Sequence, residues 1–166
     1  WGIGGFFVDG QEMVYFAEPY PTDVAMAMAE RRLSIGPAEL AAELAAVLLA
    51  LERRSTAPYF TDFTDNESAR VAATKGTSSS PTMGLLAHAL AAATTRAGVV
   101  LRTVRVTTKE NAVADGLSRD GSTVAMAAAA AAAQLRPVRV GVPARVWDLL
   151  RESAIDSAVG PHSVAG

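Results

Sequence analysis

The chain has 166 residues, 50% of them hydrophobic but only 6% aromatic, which suits one domain with a core of Ala, Val and Leu rather than rings. With 15 basic against 17 acidic side chains the formal net charge is -2, so no global positive field draws the protein to nucleic acid, and any such binding needs a local patch. There is no Cys, which excludes disulfides and thiolate metal sites, leaves carboxylates and His as ligands, and fits a reducing, intracellular compartment, cytoplasmic or nuclear.

Trp1 to Val8 and Glu12 to Glu18 are apolar, β-prone runs joined by Asp9-Gly10-Gln11, and Asp-Gly between such runs predicts an antiparallel hairpin. Gly2, Gly4 and Gly5 look like half of a phosphate-binding loop. No helix follows them, so they are read as permitting close backbone approach or a bulge. Pro19 to Leu33 is expected to be an irregular connection with a short Ala/Met-rich stretch, in which Met26 and Met28 are packing residues.

Gly36-Pro37 opens a helix that strong helix formers carry to Arg54. Leu40, Leu44, Val47, Leu48 and Leu51 recur at three- and four-residue steps and define its buried face, while Glu39 and Glu43 share a face bordering that stripe. Tyr59 to Thr64 is a strand that delivers Asp65 and Asn66 to its end. A short helical segment follows, closed by Lys75 and Gly76. Ligands and metals gather outside the carboxyl ends of strands in open α/β sheets, which singles out Asp65; the same Asp also suits a helix cap.

Thr77 to Pro81 is a loop and cap cluster ahead of a helix over Thr82 to Arg96, which Gly98 ends. His88, inside that Ala/Leu helix, is read as a packing or surface residue. Val99 to Val106 is a strand with Arg102 and Arg105 interleaved, and a turn through Lys109 leads into AVADGLSR, a helix carrying Asp115 with Arg119 one turn on. From residue 121 the chain reads as an Ala-rich helix over Ala125 to Ala133, broken by Pro137 to Gly141 and Pro143. A short amphipathic helix over Ala144 to Ala154 follows, anchored by Trp147, Leu149 and Leu150, and then a frayed end over Gly160 to Gly166. The longest uncharged apolar run, Gly121 to Leu135, is too short and too Ala-rich for a membrane span. The chain opens on Trp1 rather than Met, and the natural polypeptide is expected to begin upstream.

The order hairpin, helix with Glu, strand ending in Asp, two helices, strand, helix with Asp resembles a ribonuclease H domain. The segments TDNESARVAATKGTSS (Thr64 to Ser79) and KENAVADGLSR (Lys109 to Arg119) resemble the ribonuclease H region of retroelement reverse transcriptases, particularly those of tyrosine-recombinase (DIRS-like) retrotransposons. The resemblance spans about Trp1 to Arg119, and Ala-Asp-x-Leu-Ser-Arg after an Asn is its most specific piece. It implies an α/β, RNase H-like fold over residues 1–120, a mixed sheet flanked by helices, with residues 121–166 as a helical tail. It further implies a module of a retrotransposon polyprotein, working beside the reverse transcriptase domain, that cuts the RNA strand of an RNA–DNA hybrid by two-metal hydrolysis with Mg²⁺ or Mn²⁺.

By the same resemblance Asp65, Asp115 and Glu43 are the catalytic, metal-holding acids, with Glu39 the alternative to Glu43. Asn66, Lys75, Ser78, Arg102, Arg105 and Lys109 are the expected contacts to the hybrid, although Arg102, Arg105 and Lys109 equally suit a solvated strand face. Two departures stand out. The family's first acid, on a central strand between the hairpin and the Asp65 strand, has no counterpart, and Asp9 in the hairpin turn does not replace it. Arg105 stands where relatives often carry His, and an always-charged Arg binds phosphate without transferring protons. The chain is therefore either a fragment or a catalytically inactive relic serving as an interaction or connection module.

Overall fold

The computed structural model describes residues 1–53, 58–119 and 121–156. Asp9 and Glu12 face each other across a two-residue turn in which Gly10 takes φ 58°, and this closes β1 (Gly2–Asp9) and β2 (Glu12–Pro19) into the expected hairpin. The next segment departs from expectation. Thr22–Ala29 forms a helix, α1, because Pro21 is tolerated at its N-cap and its Ala and Met residues favour helix once Val24 and Ala27 find a core. Met28 packs against that core, whereas Met26 points to solvent.

Helix α2 (Ile35–Glu52) lies at the centre of the molecule. Burial extends beyond the expected stripe: Leu40, Leu44 and Val47 are buried, but so are Ala38, Ala41, Ala45 and Leu49, while Leu48 and Leu51 are only partly covered. Small Ala side chains on the remaining faces let neighbours approach from several sides. Arg54, the expected helix end, lies outside the described residues; Arg53 caps the helix and its guanidinium holds both Asp9 and Glu12, pinning α2 to the hairpin turn.

Strand β3 (Tyr59–Thr64) leads into α3 (Glu67–Lys75), which ends on Gly76 in the left-handed conformation. Helix α4 (Pro81–Ala97) starts with Pro at its first turn and ends on left-handed Gly98, after which β4 (Val100–Arg105) pairs in parallel with β3. The chain continues through α5 (Ala112–Arg119), α6 (Val124–Ala132), β5 (Arg136–Arg139) and α7 (Ala144–Asp156). Strand β5 was expected only as a break; it pairs in parallel with β2, bringing Arg136 beside Glu12 in an ion pair. Helix α7 buries Val146, Trp147, Leu149 and Leu150 in the core shared with α2 and α4, so the segment read as a tail contributes to the main core. The frayed end expected over residues 160–166 lies outside the described residues. Among the described helices none is long and apolar enough to cross a membrane.

The architecture is α/β, with a mixed three-stranded sheet in the order β1-β2-β5 and a separate parallel pair β3-β4. Helix α5 rests directly on β1, because Gly4 has no side chain. A Cβ there would lie 2.5 Å from the Leu117 carbonyl carbon and the Ser118 nitrogen. Backbone cannot step aside as a flexible side chain can, so Gly4→Ala is expected to destabilise the fold by about 2–3 kcal/mol, measured by urea denaturation. An unchanged midpoint would show that α5 can lift from the strand at no cost.

Candidate functional site

Hairpin and β3 belong to different sheets, and a cleft of about 760 Å³ opens between β1 and β3, floored by α2 and bordered at one end by α5. The acids singled out in the sequence meet this cleft in two groups. Asp65, just past the C-terminal end of β3, accepts a hydrogen bond from Asn111 Nδ2 at 3.2 Å. Asn66, not Asp65, caps α3: its Oδ1 accepts from the Ala69 backbone N–H at 2.9 Å, which frees Asp65 for the cleft. Asp115, in the first turn of α5, also reaches the cleft, with Arg119 Nε donating to its two oxygens at 2.7 and 2.8 Å.

The helix acid that joins this pair is Glu39. Burial raises its pKa first, the negative charge of Asp65 second and that of Asp115 further, while the Asn66 side chain works the other way. Its Oε2 is buried without a hydrogen-bond partner. Tyr20 borders the same spot, its phenol pushed up to about 12 by burial and by the Glu39 charge.

Glu43, preferred in the sequence reading, sits one turn deeper along α2, at 5% exposure, facing Asp62 and Thr64 rather than Asp65. Neither of its carboxylate oxygens has a hydrogen-bond partner, nor has Asp62 Oδ2. Burial, then the Asp62 charge, push the Glu43 carboxyl up to about 9, with the Thr64 hydroxyl opposing and the Glu39 charge adding to the rise. Burial likewise raises Asp62, to about 6, with the Phe63 backbone amide opposing. A neutral carboxyl deep in the floor is the physical outcome, since two adjacent carboxylates cannot both ionise away from water.

The basic residues do not gather into one patch. Arg102 and Arg105 are three positions apart on β4, so they leave opposite faces of the β3-β4 pair. Arg105 lies close enough to Glu67, in the first turn of α3, to lower that carboxyl, after the larger effect of Arg70. Lys75 is at the far end of α3 from Asn66, and Ser78 is in the loop beyond it, where its Oγ accepts from the Ser80 backbone N–H at 3.2 Å. Lys109 is exposed in the turn before α5. Asp9, in its turn, is engaged by Arg53.

Glu39, Asp65 and Asp115 are of the right kind for a hard divalent cation: carboxylate oxygens from a helix, a strand end and a second helix. Among the described residues, however, no three acidic or His side chains lie close enough together to hold an ion. Asn111 and Arg119 engage Asp65 and Asp115, so the set as it stands does not fit one. Comparison with protein-family models, with curated proteins and with solved structures finds no match to this chain.

The sequence missed Asp62 and undervalued Glu39. Asp62 carries a signal that could have found it: a carboxylate inside an apolar β-run, where a charge needs a reason to be buried.

Proposed function

We propose that the chain is a ribonuclease H-like domain of a retrotransposon reverse transcriptase polyprotein, acting in Mg²⁺ or Mn²⁺ on the RNA strand of an RNA–DNA hybrid. The observation that supports this reading best is that Glu39, Asp65 and Asp115 converge at one end of the cleft, beside the strand end where α/β sheets place ligands. The residues' own part is narrow: Asn111 holds the Asp65 carboxylate in place, and Arg119 offsets the Asp115 charge.

A catalytically inactive, hybrid- or partner-binding module is the second reading. It is favoured by the lack of a ready three-acid group among the described residues and by the separation of Arg102 from Arg105. Cleavage of an end-labelled hybrid in Mg²⁺ and then Mn²⁺, by the chain and by Asp65→Asn, decides between them. The nuclease reading expects cutting that falls at least about a hundredfold in the variant. Binding without cutting, equal in the chain and the variant, would leave the inactive module as the better account.

A further inference from the structure

Phe60 and Leu101 pack from β3 and β4 against the core that α2, α3 and α4 share. Strand alternation then sends Tyr59, Thr61 and Phe63, with their cross-strand neighbours Val100, Arg102 and Val104, out of the opposite face. That face is open: Tyr59 is 70% exposed, Phe63 57% and Val100 56%, and Thr61 and Arg102 are exposed beside them. In a chain only 6% aromatic, two large rings left on one open surface mark it as a surface that is covered in use. Pairing of the strand edges does not close it. Backbone hydrogen bonds run in the plane of a sheet, whereas these side chains stand perpendicular to that plane.

Charge narrows the choice of occupant. Arg102 stands opposite Thr61, midway between the two rings, and the acid within β3, Asp62, points the other way, toward Glu43. A second copy or an apolar protein face laid here would bury Arg102 without a counter-charge. Rings flanking a cation suit nucleic acid, whose bases stack on the rings and whose phosphates meet the guanidinium. Spacing selects the strandedness. Four residues along a strand place Tyr59 and Phe63 about 13 Å apart, well beyond the step of roughly 3.4 Å between stacked nucleotides, so the rings take bases that have been splayed apart. A hybrid keeps its bases paired and stacked, and a single strand leaves them free.

We propose that the open face of β3 and β4 binds single-stranded nucleic acid, with one base stacked on Tyr59, another on Phe63, and Arg102 on the backbone between them. The chemistry recognised is an unpaired base and its phosphate, common to RNA and DNA. This face is separate from the acids past the end of β3, and binding there does not depend on whether the chain cuts a hybrid.

Fluorescence anisotropy with labelled oligo-dT and oligo-U of about ten nucleotides, in EDTA to silence metal-dependent cutting, tests this and shows which kind of strand supplies the ligand. Tyr59→Ala and Phe63→Ala are each expected to weaken binding at least about fivefold, whereas Tyr59→Phe and Phe63→Tyr stay within about twofold of the unaltered chain. Arg102→Ala should lower the slope of log affinity against log salt by about 0.7, a change that loss of an apolar contact would not produce. All three side chains are exposed, so the variants should keep the urea midpoint of the unaltered chain. Unlabelled RNA–DNA hybrid should compete at least about tenfold less well than the single strand, a comparison that needs no variant. No binding of either oligonucleotide, full affinity in the alanine variants, or equal competition by the hybrid would overturn the proposal. So would a dimer in sedimentation that Phe63→Ala dissolves, which would assign the face to a second copy.

Discussion

Glu39→Gln is expected to reduce hybrid cleavage by at least about a hundredfold, with a larger loss than Glu43→Gln causes. The reasoning is positional. Glu39 is the α2 acid that feels the charges of Asp65 and Asp115, and one of its oxygens is buried with no partner in the protein. Glu43 lies one helical turn away, next to the middle of β3 rather than its end, and its carboxyl keeps a proton at neutral pH. A protonated carboxyl is a poor ligand for a hard cation. Gln keeps the size of Glu and removes the charge, so a folded Glu39→Gln protein that retains hybrid affinity and loses cutting isolates a role in the chemistry. The opposite ranking, cutting lost in Glu43→Gln and kept in Glu39→Gln, would restore Glu43 as the helix acid.

That choice shows where the sequence stops being informative. Glu39 and Glu43 are four residues apart and therefore on one helix face, so periodicity cannot separate them. What separates them is the register of α2 against β3: moving one turn toward the N-terminus of α2 carries the carboxylate from Asp62 to the strand end at Asp65. Register of that sort is set by packing between elements distant in sequence. The capping of α3 by Asn66 rather than Asp65 is a similar case, since both residues have the right side chain and only the turn geometry decides.

Elements announced by local chemistry were legible. Asp9-Gly10 fixed the hairpin, Gly76 and Gly98 marked helix ends through their left-handed backbones, and Pro81 marked a start. The missed elements were those stabilised by distant partners. Four residues containing a Pro, Arg136 to Arg139, have no strand signal of their own, and β5 exists because β2 offers its edge. Helix α1 was hidden between prolines and forms because Val24 and Ala27 reach the core. The gap between β1 and β3 is a different case: the sequence offers no strand to stand between the hairpin and the Asp65 strand, and the two are not paired with each other.

Glu43→Gln should make the protein more stable, by about 2–3 kcal/mol near pH 7, and should flatten its stability against pH. The sign follows from the proton count. The Glu43 carboxyl sits at about 9 in the folded protein against an ordinary value of 4.5, and Asp62 at about 6 against 3.8. Between those limits the folded chain binds protons that the unfolded chain has released, so stability falls as pH rises from about 4 toward 9. Gln carries no charge to bury, which removes the greater part of that slope. Its amide gains no partner either, because the oxygens it replaces had none, and this unsatisfied polar group holds the gain below what the pKa shift alone would give. At pH 5, only half a unit above the ordinary value of 4.5, Glu43 is protonated in the fold and its ionisation outside the fold is worth under about 1 kcal/mol, so the two proteins should differ little. Urea denaturation at pH 5, 7 and 8.5 measures the effect directly. A variant no more stable at 8.5 than the unaltered chain would mean that the floor of the cleft is already neutralised, by water or by a cation that the Glu43 and Asp62 oxygens have found.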